Sequence, residues 1–495
     1  MIRRIPGSGR DLSPPPDPRK SALDADLSGA TLEGVDTAAH NLLVVSDLHL
    51  GADLKRGGFG YLRSIVRLDR ELSSFLDWYA ANREGGLPWR LVINGDMVDF
   101  VTMTIVPEAA EQPGFVVTDD DRRFGLATGE EEKIDWLLRR VMDRHRTVFE
   151  RLAAFVAAGN EVAILRGNHD AEFHWPRVQR TFVDRLAEIG GVAQGEQDAF
   201  VQRVSFLPWF YYEPGTIFVE HGHQYDDYSS FEYVLAPVSP EGKRTDVPLS
   251  HFAVRYLANV FPNISLDDKD GWTLSDFFRF VWTGQAGKLH ALLFGYLGCV
   301  AHVIASVGSR KLWSDSRRAT HRDVLNKLAE RWKLSPERLR RLESLQAAGA
   351  LRSWSRAIQC YYVDRFAVAG ITMASIALVL AADLPFTLLG LSVAAAIAAD
   401  RVLARTRDSE TPPKLRRAAL AVAFLLEVPL VVMGHTHRPG EEPLGDGRLY
   451  VNTGTWIPAP EAPGFTHLAL RRTASGGAQS ELRRWTDGGP VRLES

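Results

Sequence analysis

Residues 42–49 read LLVVSDLH, an unbroken apolar run that stops at a carboxylate and an imidazole. A short run without alternation is the pattern of a strand buried on both faces. RLVINGD (90–96) and EVAILRGN (161–168) repeat the form, and helical periodicity fills 68–82 and 130–158 between the runs. The order is therefore strand, helix, strand, helix, strand. Such alternation predicts an α/β layered fold whose functional groups gather on loops past the carboxyl ends of the strands. Further strands are expected at 203–212, 216–220, 429–434, 448–453 and 465–471.

Outward from this framework the texture changes twice. Residues 1–38 are rich in Pro, Gly, Ser and Asp and read as a disordered leader. Residues 224–428 read as a mainly helical insertion, in which Ser335-Pro336-Glu337 marks a helix start. The layered domain is thus expected in two parts, 39–223 and 429–495. At 495 residues the chain is long enough for such a decorated domain, and 45% apolar against 24% charged residues excludes a wholly disordered or collagen-like protein. With 58 Lys plus Arg against 61 Asp plus Glu there is no basic field to attract nucleic acid. The two cysteines, Cys299 and Cys360, lack CxxC spacing, which argues against a disulfide framework or thiolate zinc site. The opening residues carry no apolar signal region, so a cytoplasmic location is expected.

The apolar runs end in five polar clusters: Asp47-Leu48-His49, Gly95-Asp96 with Asp99, Gly167-Asn168-His169-Asp170, His221-Gly222-His223, and Gly434-His435-Thr436-His437. Asp, Asn and His offer oxygen and nitrogen donors suited to manganese, iron, zinc or nickel. Seven candidate ligands exceed what one ion with an open position can use, so two metals are expected. Asp143-Arg144-His145 also has D-x-H spacing but sits in a helical charge pattern and reads as a solvated face. His321-Arg322-Asp323 has none of the companions of a kinase catalytic loop.

In order and spacing the clusters resemble the calcineurin-like metallophosphoesterase superfamily, over about 40–235 and 429–472. The resemblance implies two packed sheets with helices outside. It implies Asp47, His49 and His437 on one divalent ion, Asn168, His221 and His435 on the other, and Asp96 bridging them, with manganese as first choice. His169 would protonate the leaving oxygen or touch the phosphate, Asp170 would orient it, and Arg166 would contact a phosphoryl oxygen. His223 is expected to face substrate or support the ligands, and Asp99 to be a structural carboxylate. Two such ions can clamp a displacement at phosphorus and acidify a water.

Residues 366–400 form the most apolar stretch, interrupted at Asp383-Leu384-Pro385 and flanked by Arg365 and Arg401. Two readings compete: a membrane hairpin with both ends cytoplasmic, or a buried helical pair in a cap. A second apolar run, 289–308, reads as a weak spanning candidate or as a buried or interfacial helix. The DLHLG and GDxxD forms with a helical cap are similar to the UDP-2,3-diacylglucosamine diphosphatase branch, which implies a lipid-linked diphosphate substrate. An exonuclease of the same superfamily and a non-catalytic phosphate-recognition adaptor at the membrane are the other expectations weighed.

Overall fold

Strand β1 (Asn41–Val45) is buried along its whole length, as the run of apolar residues requires. Leu43 and Val45 point into one core, and Leu42 and Val44 into another, so the two-residue period of a strand serves both faces. In the computed structural model, which describes residues 40–55, 62–108, 110–238, 244–259, 289–310, 314–360, 363–405, 411–457, 464–473 and 476–493, β1 pairs in parallel with β2 (Trp89–Asn94). β2 continues to β3 (Glu161–Leu165) and β3 to β4 (Val204–Leu207), all parallel. The leader expected over 1–38 lies outside the described residues.

The second sheet contains β5 (Phe210–Glu213), β6 (Ile217–Glu220), β7 (Leu430–Met433), β8 (Gly440–Gly445) and β9 (Arg448–Asn452), in the order β5-β6-β7-β9-β8. On its other side β1 pairs antiparallel with β10 (Thr466–Arg472), followed by β11 (Ala478–Thr486) and β12 (Gly489–Arg492). Among the described residues the first sheet therefore has seven strands and the second five. Leu42, Val44 and Val92 of the first meet Phe218, Val431 and Val451 of the second. On the far face of the first sheet lie α1 (Leu62–Ala81), α2 (Glu131–Arg144), α3 (Arg146–Ala157) and α4 (Pro176–Ile189), through Phe75, Leu138, Phe149 and Phe182. This is the expected two-sheet sandwich.

Two expected elements divide. The strand expected at 203–212 is β4 and β5 in different sheets, parted at Pro208, which has no N–H for a ladder. The helix expected at 130–158 breaks at His145, between α2 and α3. Strands β8, β11 and β12 were not expected, because their polar, partly exposed residues carry no buried run.

The insertion is helical, with α5 (Leu249–Ala253), α6 (Leu289–Arg310), α7 (Ser314–Arg331), α8 (Pro336–Ser344), α9 (Trp354–Cys360), α10 (Val363–Ala381), α11 (Thr387–Arg405) and α12 (Thr411–Leu426) among the described residues. Ser335 caps α8, its hydroxyl accepting from Arg338 N–H. Leu328, Leu339 and Val422 pack with the second sheet, and Trp332 stacks on Phe210. Cys299, Val303 and Ala357 form a smaller core of α6 and α9, so 289–308 is a partly buried helix. Neither cysteine forms a disulfide. Residues 366–400 are paired helices, but they are largely exposed, which corrects the expectation of a buried pair. Among the described residues no helix is long and apolar enough to cross a membrane.

Candidate metal centre

The strand ends of both sheets open onto one place. β1 delivers Asp47 and His49, β2 Asp96, β3 Asn168, β6 His221, and β7 His435 and His437. Five of these seven bend the chain at once: Asp47, His49, Asp96, His435 and His437 have φ between 47° and 68°. That left-handed region is uncommon for side-chain-bearing residues and is tolerated where surrounding packing over-determines it. The neighbouring glycines make room. A Cβ on Gly167 would lie 2.0 Å from Asp96 Oδ1, and one on Gly434 2.6 Å from Asp47 Oδ2.

Three overlapping groups result: Asp47, His49 and His437; His49, Asp96 and His169; Asp47, Asp96 and His221. His437 Nε2 is 3.2 Å from Asp47 Oδ1 and 3.2 Å from His49 Nε2. His221 Nε2 is 3.3 Å from Asp96 Oδ2, while its Nδ1 faces the Asn94 carbonyl at 2.7 Å. Asn168 Oδ1 is buried with no hydrogen-bond partner among the described residues, while Asp47 Oδ1 and His221 Nε2 are buried against other charged groups of the cluster. Buried polar atoms without partners are costly unless something absent satisfies them. A set of acceptors and imidazole nitrogens converging in this way fits divalent cations. His435 is set differently: its Nε2 is 3.1 Å from Asp226 Oδ2, and its ring is 5.4 Å from that of His221.

The charges are mutually dependent. Burial opposes ionisation of Asp47, yet His221 and His437 hold its pKa at about 2. Burial likewise opposes charge on His221, but Asp96 and Asp47 raise its pKa to about 9. A proton on His221 thus stands where a cation would.

Several expected roles move. The carboxylate beside His169 is Asp99, 2.9 Å from His169 Nδ1 and 3.3 Å from His49 Nδ1. Asp170, expected to orient His169, instead accepts from the backbone N–H groups of Gly167 and Met97 and ties two loops together. Arg166, expected at a phosphoryl oxygen, is buried and donates to the carbonyls of Pro208 and Val234. The structure therefore gives Arg166 a bracing role between β3, β5 and the insertion. His145 is no solvated decoy: it is buried, accepts from Gly51 N–H at 3.0 Å and donates through Nδ1 to Asp69, steadying the loop after His49. His223 sits 5.4 Å from His221 ring to ring, and neither of its nitrogens has a hydrogen-bond partner among the described residues. Burial, with His221 and His435 alongside, holds its pKa well below the usual value, so it is a neutral imidazole facing the ligands.

Sequence reasoning missed His251. It comes from α5 of the insertion, its Nε2 contacts the Asn168 carbonyl, and its ring is 6.2 Å from that of His169. Burial and then His169 lower its pKa to about 4, so Nε2 carries the proton and donates. Nothing in its local sequence marks it, because the contact exists only through the packing of the insertion on the β3 loop.

Glu172, behind the same loop, is buried, and neither carboxylate oxygen has a hydrogen-bond partner among the described residues. Burial foremost, with Asp170 and Asp96 adding repulsion, pushes its pKa from 4.5 to about 8. The unfolded chain releases this proton near pH 4.5 while the folded chain keeps it to about pH 8, so folding stability falls across that window. Glu172→Gln should remove the fall. Urea denaturation should give similar stabilities for variant and parent near pH 4.5 and an advantage to the variant that grows to a few kcal/mol by about pH 8–9. Parallel pH profiles for the two proteins would refute the neutral-acid reading.

No curated protein matches the chain. Residues 40–279 match the family model of the calcineurin-like phosphoesterases. The match ends before β7, yet the fold returns His435 and His437 to the same loops. The domain at 40–279 therefore belongs to the calcineurin-like metallophosphoesterase superfamily.

Proposed function

We propose that the protein hydrolyses a phosphoester or phosphoanhydride bond of a lipid-linked substrate at a membrane surface. The observation that carries the hydrolytic part is the convergence of buried carboxylates and imidazoles at Asp47, Asp96, His221 and His437 with the partnerless Asn168 Oδ1. Asp47, His49 and His437 would hold one ion, and Asn168, His221 and His435 the other, with Asp96 between them. Asp226 would orient His435 and Asn94 would orient His221, the arrangement that fixes imidazole ligands. Two divalent cations, manganese first, would supply charge stabilisation at the phosphoryl group and acidify water.

The chain's own residues then divide the work. His169 is partly exposed, and its Nδ1 is held by Asp99, which orients the ring that would face the leaving oxygen. Asp99 stabilises a proton on this ring, so His169 serves as general acid. Neutral His223 would offer a hydrogen-bonding nitrogen toward the phosphoryl oxygens. The lipid-linked part of the reading draws support from the exposed apolar helices of the insertion and from the similarity of DLHLG and GDxxD to the diacylglucosamine diphosphatase branch.

The test is a panel with manganese-loaded protein: bis(p-nitrophenyl) phosphate, phosphomonoesters, a nucleoside diphosphate-linked lipid, and single-stranded DNA. Preference for the lipid diphosphate is the expected result. Preference for DNA would make the protein an exonuclease, and no turnover with full metal content would make it an adaptor. Within the panel, His169→Ala should lower turnover roughly 10²-fold or more and leave metal content intact, with a smaller loss for acidic leaving groups. An equal loss for all leaving groups would assign His169 to phosphate binding.

A further inference from the structure

Helices α10 and α11 run as an antiparallel hairpin that turns through Asp383, whose φ is 49°. Between 366 and 399 Asp383 is the sole charged residue. The hairpin exposes large apolar side chains that nothing among the described residues covers: Ile371 at 67%, Met373 at 67%, Leu378 at 62% and Leu380 at 59% on α10, Phe386 at 76% at the tip, and Leu391 at 64% on α11. At about 100° per residue, Ile371 and Leu378 occupy one side of α10, and Met373 and Leu380 the opposite side. On α11, Leu391 and Val402 likewise oppose Val393 and Ile397, all four exposed. A protein partner or a second copy of the chain would cover one side and leave the other in water. A helix apolar all round is at home in hydrocarbon.

Charge and length fix how far it enters. Asp364, Arg365, Asp400, Arg401 and Arg405 all fall at the root, where the hairpin joins the insertion. From Phe366 to Ala381 a helix rises about 24 Å, short of the hydrocarbon core of about 30 Å. The root is also tied to the metal centre. Asp226 pairs with His435, and the adjacent Asp227 pairs with Lys414 of α12 at 2.9 Å and lies 3.8 Å from Arg356 of α9, the helices that follow and precede the hairpin.

We propose that the α10–α11 hairpin enters one face of a lipid bilayer tip first, without crossing it, and so holds the metal centre at the headgroups. This deepens the lipid-surface part of the function proposed above and rests on it only for its purpose. Binding is driven by apolar burial and is weakly dependent on salt.

The test uses the full-length protein with phosphatidylcholine vesicles, with and without phosphatidylglycerol. Cosedimentation is expected at low and high salt. Replacing Leu384, Phe386 and Leu391 together by Ser, at exposed sites that leave the fold intact, should weaken vesicle affinity more than tenfold. Hydrolysis of soluble bis(p-nitrophenyl) phosphate should be unchanged. Asp383→Asn, which also tolerates the left-handed turn, should strengthen binding several-fold by removing the tip charge. Failure of the intact protein to cosediment, or cosedimentation unaffected by the triple substitution, overturns the proposal. Unchanged affinity in Asp383→Asn places the tip in water and overturns tip-first entry. A concentration-dependent dimer in light scattering that the triple substitution dissolves makes a second copy the occupant, and overturns it too. Vesicle binding in a protein inactive on every phosphate substrate would leave the hairpin assignment standing and reject the hydrolytic reading.

Discussion

Asp96→Asn is expected to leave a folded protein that has lost bound metal and at least roughly 10³ of its turnover, about 4 kcal/mol of barrier. The fold should survive because Asn keeps the acceptor at Oδ1, which takes the His169 backbone N–H at 2.8 Å. What disappears is the negative charge 3.3 Å from His221 Nε2 and 4.0 Å from His49 Nε2. That charge lowers the cost of bringing two cations together. It also helps to raise the His221 pKa to about 9, so the metal-free variant should titrate His221 at lower pH. Metal analysis, steady-state turnover and histidine NMR titration measure the three effects. Two metals per chain with undiminished turnover would show that Asp96 does not bridge.

Gly167→Ala should be as damaging by a different route. The added methyl would lie 2.0 Å from Asp96 Oδ1 and 2.6 Å from Asp96 N. Neither atom can retreat freely, since the carboxylate is held by His169 N–H and the backbone stands at φ 52°. The β3 loop must move instead, and with it Asn168 and the Asp170 link to Met97. Overpacking of this kind costs about 1–3 kcal/mol or more. The expected result is a lower melting temperature together with lost metal binding, read by calorimetry with and without added manganese. A variant that melts like the parent and loads metal normally would mean that the two loops are not in this contact.

The layered domain and its cluster residues were legible because each chemical group directly follows a buried strand, and a buried strand has an unmistakable composition. Strand order brings the five clusters together without fine detail of packing. Residues whose roles depend on tertiary contact were not legible. Asp99 rather than Asp170 faces His169, and only the turn after β2 decides that. His145 looked like one more charge on a helix, yet a helix break buries it against Gly51. His251 lies in an insertion with no pattern of its own. The hairpin at 366–400 was legible as two apolar helices. Their exposure was not, since composition alone does not distinguish a core pair from a pair that leaves the core.

The centre is completed late. Asp47 and His435, joined by a hydrogen bond from His435 N–H to Asp47 Oδ2, are 388 residues apart in the chain. At synthesis rates of about 5–20 residues per second, roughly 20–80 s separate their emergence. Throughout that interval strands β1–β4 can pair, while β10–β12 of the same sheet and the strand carrying His435 and His437 do not yet exist. Asp47 and Asp96 must then wait in a half-walled cleft, hydrated and without their β7 neighbours. The growing polypeptide is accordingly most vulnerable to capture of a wrong cation, or of another nascent chain's strand edge, while the insertion is being made.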